Sequence, residues 1–349
     1  MAATEPRQWE IHLPMPSKRV FATPVILNDK LYVIGGCDMR GKPLANFEMY
    51  DLKANTWTAL PGIPTKRAGA AAVAVGKKII VLGGVSETQK PLDSVEIFDT
   101  DTNEWTVGES MRESLLGVPA TVHDGNVIVV GGMAADGNPR NYFMSYDVEK
   151  NVWKSLPPMP TERYATFSFL IDNQLYVIGG RQGKLPVDVF EKFDFSSNEW
   201  ETLPNIPSKR VFAMYVTDDM HIFSVGGLNQ KAEDGFSNIL ECYNIVENSW
   251  VTCPPMPTKR GDFAIGMIAG KIVCAGGFGN LGRPLSVVEC YDPTSGTWST
   301  LSDIPSSHSS CAYTMYDGRL YIIGGLSLQE LFSSFPSFLD GCHNIMGPN

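Results

Sequence analysis

Residues 173–200 have the sequence NQLYVIGGRQGKLPVDVFEKFDFSSNEW, and this stretch decides the fold. It contains a Gly-Gly pair at Gly179-Gly180, an aromatic residue at Phe193 and a tryptophan at Trp200. Each landmark recurs along the chain. The seven tryptophans are 47 to 50 residues apart and are Trp9, Trp57, Trp105, Trp153, Trp200, Trp250 and Trp298. Self-similarity at such a period indicates a repeat protein.

The Gly-Gly pairs keep a fixed distance from the tryptophans. Each pair begins 26 residues after a tryptophan, and the pairs are Gly35-Gly36, Gly83-Gly84, Gly131-Gly132, Gly179-Gly180, Gly226-Gly227, Gly276-Gly277 and Gly324-Gly325. An aromatic residue stands seven positions before each of the last six tryptophans, namely Tyr50, Phe98, Tyr146, Phe193, Tyr243 and Tyr291. One Gly-Gly pair carries almost no information, whereas seven pairs at one offset define a repeat.

Each repeat contains four short apolar runs. In the first repeat these runs are Val20–Leu27, Leu31–Ile34, Phe47–Leu52 and Thr56–Leu60. Each run has the length of an ordinary strand, and Asn28-Asp29 between the first two is a hairpin signal. Sustained helical periodicity is absent. We therefore predict that each repeat forms a four-stranded antiparallel sheet, with strands a to d in chain order.

A four-stranded sheet cannot bury both of its faces alone, whereas sheets stacked around an axis bury one another. The sequence therefore predicts an all-β fold, a seven-bladed β-propeller, as a single domain over residues 1–349. The predicted blades span about 19–62, 67–110, 115–158, 163–206, 210–255, 260–303 and 308–341. Residues 1–8 and 342–349 are predicted to be terminal tails.

The set of landmarks resembles the kelch repeat, in which Gly-Gly follows strand b, an aromatic residue lies on strand c and tryptophan lies on strand d. The resemblance covers about residues 8–341 and looks closest to small kelch-only proteins. It implies a propeller that binds protein partners on the face that carries the longer loops.

Trp9 precedes any strand a, so we predict that residues 9–13 form a d strand that completes the last blade. This closure requires a strand c near Phe338-Leu339 and Asp340. Pro336 and Ser337 depart from the pattern of the other repeats at this point. The prediction thus depends on the atypical residues 326–349.

Composition limits the classes of function. The chain has 349 residues, 43% hydrophobic content and a formal net charge of −10, so nucleic acid is not an expected partner. The seven cysteines include no C-x-x-C pair, the N-terminus lacks a signal peptide pattern, and no apolar stretch is long enough to span a bilayer. We predict a cytoplasmic protein with reduced cysteines, no membrane association and a monomeric propeller.

Comparison of the repeats separates scaffold residues from site residues. Arginine follows most tryptophans by ten residues, and glutamate stands two residues before most strand c aromatics. Both are missing from the third repeat, which has Leu115 and Met144, and from the seventh, which has His308 and Ser337. Linked loss of this kind suggests contact. We predict structural pairs Arg19-Glu48, Arg67-Glu96, Arg163-Glu191, Arg210-Glu241 and Arg260-Glu289. A ring of arginines that binds an acidic partner is the alternative.

The residues that differ between repeats are candidates for function, since loops on a rigid scaffold usually carry binding. The b–c loops and the d–a connections share one face, and mixed aromatic and arginine residues are typical of interface hot spots. The predicted partner-binding residues are Phe21, Asp38, Arg40, Glu87, Tyr164, Arg181, Gln182, Lys184, Phe212, Asn229, Gln230, Asp262, Phe278 and Asn280. Tyr164, Arg181 and Phe278 are the leading candidates.

Several catalytic and cofactor motifs lack their structural context. Gly277–Gly282 spells G-x-G-x-x-G but precedes a strand instead of a helix. Asp99–Asn103 begins like a calcium loop without its later Gly and Glu. The five histidines lack metal spacing, and no nucleophile elbow is present. We predict no cofactor, no metal and no catalytic residue. The predicted function is a protein–protein interaction module or scaffold. The alternative is a kelch-type enzyme or small-molecule or metal binder that uses a central channel.

Overall fold

The computed structural model describes residues 9–327 of the chain. The chain divides into two compact units, one of residues 17–209 and one that joins residues 9–16 to residues 210–327. Both units consist of antiparallel sheets connected by turns and loops. Among the described residues, no helix has the length and apolar character needed to cross a membrane.

The unit of residues 17–209 contains four four-stranded sheets, called blades 1 to 4. Blade 1 contains β1 (Thr23–Leu27), β2 (Lys30–Ile34), β3 (Phe47–Asp51) and β4 (Thr56–Ala59). Blade 2 contains β5 (Ala71–Val75), β6 (Lys78–Leu82), β7 (Val95–Asp99) and β8 (Glu104–Val107). Blade 3 contains β10 (Ala120–His123), β11 (Asn126–Val130), β13 (Phe143–Asp147) and β14 (Val152–Ser155). Beside it, β9 (Leu115–Leu116) pairs with β12 (Met133–Ala134). Blade 4 contains β15 (Phe167–Ile171), β16 (Gln174–Ile178), β19 (Phe190–Asp194) and β20 (Glu199–Thr202), with the short hairpin β17 (Arg181–Gln182) and β18 (Leu185–Pro186).

The second unit contains two further four-stranded sheets and a hairpin. Blade 5 contains β22 (Met214–Thr217), β23 (His221–Val225), β25 (Leu240–Asn244) and β26 (Ser249–Cys253), and β21 (Arg210–Val211) pairs with β24 (Leu228–Asn229). A one-turn 3-10 helix covers Ala232–Asp234. Blade 6 contains β28 (Ala264–Ile268), β29 (Lys271–Ala275), β31 (Val288–Asp292) and β32 (Thr297–Leu301), and β27 (Arg260–Gly261) pairs with β30 (Phe278–Gly279). The hairpin contains β33 (Ala312–Tyr316) and β34 (Arg319–Ile323).

Turn chemistry sets the strand boundaries within a blade. Asn28 and Asp29 both have left-handed backbones, with φ of 52° and 58°, and they join β1 to β2 in direct register. Two left-handed residues match the twist of a tight hairpin, and Asn and Asp tolerate this conformation better than most residues do. Strand b of each blade is almost entirely buried, whereas strand d is largely exposed. The core therefore lies on strands b and c.

Aromatic residues of neighbouring repeats pack against each other in the first unit. The rings of Phe47 in blade 1 and Phe98 in blade 2 meet edge to face at 4.7 Å, and Trp105 lies about equally close to both. The indole Nε1 of Trp105 donates a hydrogen bond to the backbone carbonyl of Pro61 in the preceding repeat, at 2.7 Å. The tryptophan therefore contributes apolar area and a directional bond between successive repeats.

The Gly-Gly pairs allow a close backbone approach between repeats. Gly36 has a φ of 97°, and its amide donates to the carbonyl of Arg67 in the next repeat at 3.0 Å. A Cβ at this position would lie 2.6 Å from the carbonyl oxygen of Val20. Only glycine satisfies both the conformation and the space.

The predicted seventh blade is wrong, because the described residues form six four-stranded sheets and the seventh repeat is the two-stranded hairpin β33–β34. In every complete blade strand d pairs only with strand c. No c strand stands beside β34 in the described residues, and residues 9–16 form no strand there. The strand expected near residues 338–340 lies outside the described residues. The departures at Pro336 and Ser337 mark where the repeat pattern fails.

The side chain of Trp9 nevertheless keeps the contact of a repeat tryptophan. Its Nε1 donates to the carbonyl of Ser302 at 2.8 Å, and Trp298 donates in the same way to Pro254. Both acceptors stand four residues after the tryptophan of the preceding repeat. Trp9 also packs on the apolar cluster that blade 6 shares with the hairpin. The N-terminal segment is thus attached to this unit through its side chains.

Candidate functional site

Buried ion pairs lie at the start of strand a in five repeats. The Nη2–Oε2 distance is 2.8 to 2.9 Å in the pairs Arg19-Glu48, Arg67-Glu96, Arg163-Glu191, Arg210-Glu241 and Arg260-Glu289. The side chains of all ten residues are at most 5% exposed. Burial lowers the pKa of Arg19 to about 10, against the opposing effect of Glu48, so the guanidinium stays charged at neutral pH. Such burial leaves these arginines no surface to offer a partner.

Each pair also binds the backbone. In blade 1, Arg19 Nη1 donates to the carbonyls of Gly35 and Asn46 at 3.0 and 2.8 Å. The hydroxyl of Ser17 donates to the second carboxylate oxygen of Glu48 at 2.8 Å. The arginine thereby holds the first glycine of the Gly-Gly pair, and the glutamate is bound from two sides. These contacts fix the end of strand b from which the b–c loop departs.

Blade 3 has apolar residues in the same place. Leu115 is fully buried and Met144 is 3% exposed, and both belong to the apolar cluster that blade 3 shares with blade 2. An ion pair lies nearby at the surface, where Arg140 binds Glu113 with two hydrogen bonds of 2.8 Å. Blade 3 has therefore replaced the buried pair with packed side chains and carries its charges outside.

A left-handed residue stands two positions after the arginine position in all seven repeats. The seven residues have φ between 49° and 64° and are Phe21, Gly69, Gly117, Ala165, Phe212, Asp262 and Ser310. Backbone hydrogen bonds link three pairs of successive members, from Gly69 to Phe21, from Ala165 to Gly117 and from Asp262 to Phe212. A left-handed backbone costs a bulky residue on the order of 1–3 kcal/mol. The conformation is therefore strained at Phe21 and Phe212, which is compatible with a functional role at these two positions, whereas Asp262 adopts it more readily.

Asp262 is the acidic member of this series. Its Oδ2 accepts hydrogen bonds from the amide and the hydroxyl of Ser310, at 3.0 and 2.6 Å. Burial raises the pKa of Asp262 to about 6, and the hydrogen bonds from Ser310 oppose this rise. Oδ1 accepts no hydrogen bond within the described residues. A carboxylate oxygen thus remains available at the start of β28.

The b–c loops of the second unit are held against each other. The Oδ1 of Asn280 accepts a hydrogen bond from the amide of Phe236 at 2.7 Å, and the rings of Phe236 and Phe278 lie 6.1 Å apart. Asn229 supports the same loop by donating to the carbonyl of Gly235 at 2.9 Å. Leu281, beside Asn280, is 75% exposed. The two loops therefore present apolar surface on a fixed backbone.

The predicted loop residues of the first unit serve partly as loop supports. Asp38 Oδ1 accepts from the amides of Arg40 and Lys42, both at 2.9 Å. Glu87 is exposed and lies between Lys66 and Lys42, at 3.0 and 3.3 Å. These contacts order the two loops while Arg40 and Glu87 stay accessible.

Blade 4 contributes a short b–c hairpin. Gln182 donates to the carbonyl of Glu162 at 2.9 Å, and Lys184 is exposed. The guanidinium of Arg181 lies 5.9 Å from the centre of the Tyr164 ring. Arg181 is half-buried, so its charge is partly accessible beside a rigid aromatic ring.

The prediction of Tyr164 as an exposed aromatic residue is wrong. Tyr164 is 3% exposed, packs with Val85, Leu116 and Met133, and donates its hydroxyl to the carbonyl of Gly183 at 2.7 Å. Its position explains the difference, because Tyr164 follows the arginine by one residue whereas Phe21 follows it by two. A shift of one residue on an extended strand reverses the direction of the side chain.

The sequence analysis also missed residues that contribute to the loop surface of the second unit. Phe236, Leu281 and Ser310 lie among the predicted residues of the second unit, but their types alone gave no signal. The glycines Gly69 and Gly117 could have revealed the left-handed position, since they share the register of Phe21 and Asp262. No group of three or more His, Cys, Asp or Glu side chains within residues 9–327 is arranged to hold a metal ion.

Comparisons with known proteins agree with this architecture. Residues 117–325 match the KLHDC2/KLHL20/DRC7 kelch-repeats domain, and residues 3–187 match the attractin/LZTR1 β-propeller. A 55-residue segment is 44% identical to the F-box/kelch-repeat protein At4g29370 of Arabidopsis thaliana, covering 16% of this chain and 14% of that protein. A 57-residue segment is 35% identical to beta-scruin of Limulus polyphemus, covering 16% of this chain and 6% of that protein.

A solved structure shows the same fold at low sequence identity. The structure of YjhT aligns with a TM-score of 0.65 and 15% identity, over 83% of this chain and 99% of that chain. The class of protein is thus an all-β propeller of four-stranded antiparallel blades. The first family match covers more than half of the sequence, and the chain belongs to the kelch-repeat β-propeller family. The narrower resemblance to small kelch-only proteins stays a prediction.

Proposed function

We propose that this chain is a non-catalytic interaction module that binds a protein or peptide partner through its b–c loops and the starts of its a strands. Kelch-repeat propellers generally mediate protein–protein interaction. The chain spans only a small part of the curated relatives it matches, so their whole activities and partners do not transfer directly. The single observation that carries the proposal is the surface of the second unit.

That surface combines strain, rigidity and exposed apolar area. Phe212 and Asp262 occupy the left-handed position of successive repeats, and local strain such as that at Phe212 clusters at ligand sites. The hydrogen bond from the amide of Phe236 to the side chain of Asn280 fixes the two neighbouring loops before a partner binds, which reduces the conformational entropy lost on binding. The exposed Leu281 and the half-buried Phe278 supply apolar anchors, and Gln230 is exposed beside them. An aromatic and aliphatic patch with a few fixed polar groups suits a peptide or protein surface.

A matched pair of variants tests this assignment. Leu281→Asp places a charge on the proposed surface, whereas Val246→Asp places the same charge at the c–d turn of blade 5, at the opposite ends of the strands. The two side chains are equally accessible, at 75% and 76%. We expect partners that co-purify with the full chain from cells to be lost from Leu281→Asp and kept by Val246→Asp.

Binding of an identified partner to the purified chains then gives the size of the effect. A loss of affinity of tenfold or more, confined to Leu281→Asp, supports the proposal. Equal affinity in both variants would place the site elsewhere. Tyr164→Ala is unsuitable as a probe because Tyr164 is buried.

We also propose a reducing compartment such as the cytoplasm. The six cysteines in residues 9–327 are all thiols, and four of them are buried. Thiols that persist in this way are typical of reducing surroundings. Cell fractionation with an antibody to the chain would test the location directly.

A further inference from the structure

Two cysteines of blade 5 lie on neighbouring strands. Cys242 on β25 is opposite Val251, and Cys253 on β26 is opposite Leu240, so the cysteines are diagonal neighbours on the same face of the sheet. Each thiol shifts the pKa of the other through a hydrogen bond between them. Cys242 is buried and Cys253 is half-buried, and neither is in a disulfide. Their arrangement is that of a reduced dithiol with one accessible member.

A third group completes the cluster. In blades 1, 3 and 5 the strand c tyrosine donates its hydroxyl to an asparagine of its own c–d turn, in the pairs Tyr50-Asn55, Tyr146-Asn151 and Tyr243-Asn248. Blade 6 has Gly296 at the equivalent position, so Tyr291 has no such asparagine. Its hydroxyl forms a hydrogen bond with the thiol of Cys253 instead.

The position of Cys253 explains this contact. Gly108 is the equivalent residue of blade 2, since both follow the repeat tryptophan by three residues. A Cβ at Gly108 would collide with the hydroxyl of Tyr146 in the next blade. The position therefore faces the tyrosine hydroxyl of the following repeat, and in blade 5 a thiol occupies it.

The surroundings favour the thiolate of Cys253 over that of Cys242. The hydrogen bond from Cys242 is the largest cause, and with Tyr291 and His221 it lowers the pKa of Cys253 to about 6 in spite of burial. The same hydrogen bond and burial raise the pKa of Cys242. A half-buried cysteine of lowered pKa is a better nucleophile than a buried one of raised pKa, so Cys253 is the more reactive of the two thiols.

We propose that Cys253 and Cys242 form a peroxide-reactive dithiol, with Cys253 as the attacking thiolate and Cys242 as the resolving thiol. The sulfur of Cys253 attacks one oxygen of a hydroperoxide, an S–O bond forms, the O–O bond breaks, and the leaving alkoxide or hydroxide takes up a proton. Cys242 then attacks the sulfenic sulfur, an S–S bond forms, and water leaves with the proton of Cys242. Two thiols are oxidised to one disulfide while the hydroperoxide is reduced to an alcohol and water.

The test uses the full chain, reduced and then treated with hydrogen peroxide. No lysine or arginine separates the two cysteines, so trypsin leaves them on one peptide, whereas cleavage after Glu247 separates them. We expect the two fragments to remain joined until a reductant is added. In Cys242→Ser, a sulfenic acid trap should label Cys253. In Cys253→Ser, neither the linkage nor trapping at Cys242 should occur.

Alkylation of the untreated protein provides a second readout that does not require the disulfide. Iodoacetamide at pH 7 should modify Cys253 at least about tenfold faster than the buried Cys274. Tyr291→Phe removes one hydrogen bond to the thiolate and should slow this reaction severalfold with the fold unchanged. Equal alkylation rates at Cys253 and Cys274, or no joined fragments at any peroxide concentration that oxidises other thiols, would overturn the proposal.

Discussion

Blades 2 and 3 solve the same packing problem with opposite chemistry. Blade 2 buries Arg67 against Glu96 at 2.9 Å, whereas blade 3 buries Leu115 and Met144 in the equivalent positions. The two blades are neighbours, share one apolar cluster and have the same four-stranded topology. The fold therefore requires that this space be filled and its polar groups bound, and it does not require the charges themselves.

The comparison distinguishes two effects on the free energy of unfolding: the loss when one member of the ion pair is removed, and the change when both are removed. Removal of both charges of a buried pair is often neutral, whereas removal of one leaves an uncompensated charge. Blade 3 is consistent with the first half of this rule, since it lacks both charges and keeps the blade. Blade 2 offers the means to measure the second half.

The largest effect is expected from Glu96→Met alone, which gives blade 2 half of the chemistry of blade 3. Arg67 would remain buried without its carboxylate, and we expect a loss of about 3–5 kcal/mol in the free energy of unfolding. Urea unfolding followed by circular dichroism measures the loss. Glu104→Met, at an exposed position of β8 in the same blade, is the control and should change stability little. A loss below about 1 kcal/mol would contradict the role of the pair.

A half-buried carboxylate without a guanidinium, that of Asp262, extends the comparison to pH. Burial raises the pKa of Asp262 from its ordinary value near 4 to about 6. Because the pKa of this acid is raised in the folded protein, folding favours its protonated form. The stability that Asp262 contributes to the folded protein is therefore fully present below about pH 4 and is lost as the pH rises through 6. We expect Asp262→Asn to be more stable than wild type by about 2–3 kcal/mol at pH 7 and equal to it near pH 4.

Urea unfolding of both proteins at several values between pH 4 and pH 7 would check this expectation. Asparagine keeps an oxygen for Ser310 and tolerates the left-handed backbone, so only the charge is removed. A difference in stability that does not vary with pH would refute the assignment of the charge.

The double replacement Arg67→Leu with Glu96→Met makes blade 2 resemble blade 3 at this site. We expect it to be within about 1–2 kcal/mol of wild type, because the charges leave together. The residual cost comes from the hydroxyl of Thr65 and the carbonyl of Gly83, which lose their partners. A double-mutant cycle with Arg67→Leu and Glu96→Met gives the coupling energy. Additive losses would show that the two residues act independently.

The smallest effect is expected at the surface pair of blade 3. Glu113 and Arg140 are 32% and 21% exposed, so solvent screens their interaction in spite of its two hydrogen bonds. Glu113→Gln should cost at most about 1 kcal/mol in the same unfolding measurement. A loss comparable to that of Glu96→Met would mean that blade 3 moved its essential ion pair outward instead of replacing it.

The sequence was informative where a residue serves every repeat. Six repeats form four-stranded antiparallel sheets as predicted, because the tryptophans, the Gly-Gly pairs and the turn residues act locally and recur. The seventh repeat forms only a two-stranded hairpin in the described residues, and the residues on which the prediction of strand c depends, Pro336 and Ser337 among them, lie outside those residues. Linked loss of arginine and glutamate pointed to contacts because the two side chains bind each other in the five repeats that keep them.

The surface was harder to predict because it depends on single-residue register. Tyr164 was grouped with Phe21 and Phe212 by residue type, although it stands one position closer to the arginine and points inward. The proximity of Cys242 and Cys253 depends on how β25 and β26 pair, which composition and spacing cannot supply. The exposure of Leu281 likewise follows from the path of its loop.

His308 shows how a repeat can keep the bond to its Gly-Gly pair without a buried ion pair. In the seventh repeat it takes the place of the arginine, and its Nδ1 lies 2.7 Å from the carbonyl oxygen of Gly324. Gly324 is the equivalent of Gly35 in the first repeat, whose carbonyl accepts a hydrogen bond from Arg19. A carbonyl only accepts, so this nitrogen carries the proton, and the ring makes the bond without a permanent charge. Histidine at this position therefore keeps the bond to the first glycine of the pair without needing a buried carboxylate beside it, so a repeat can lack the glutamate and leave no unpaired buried charge.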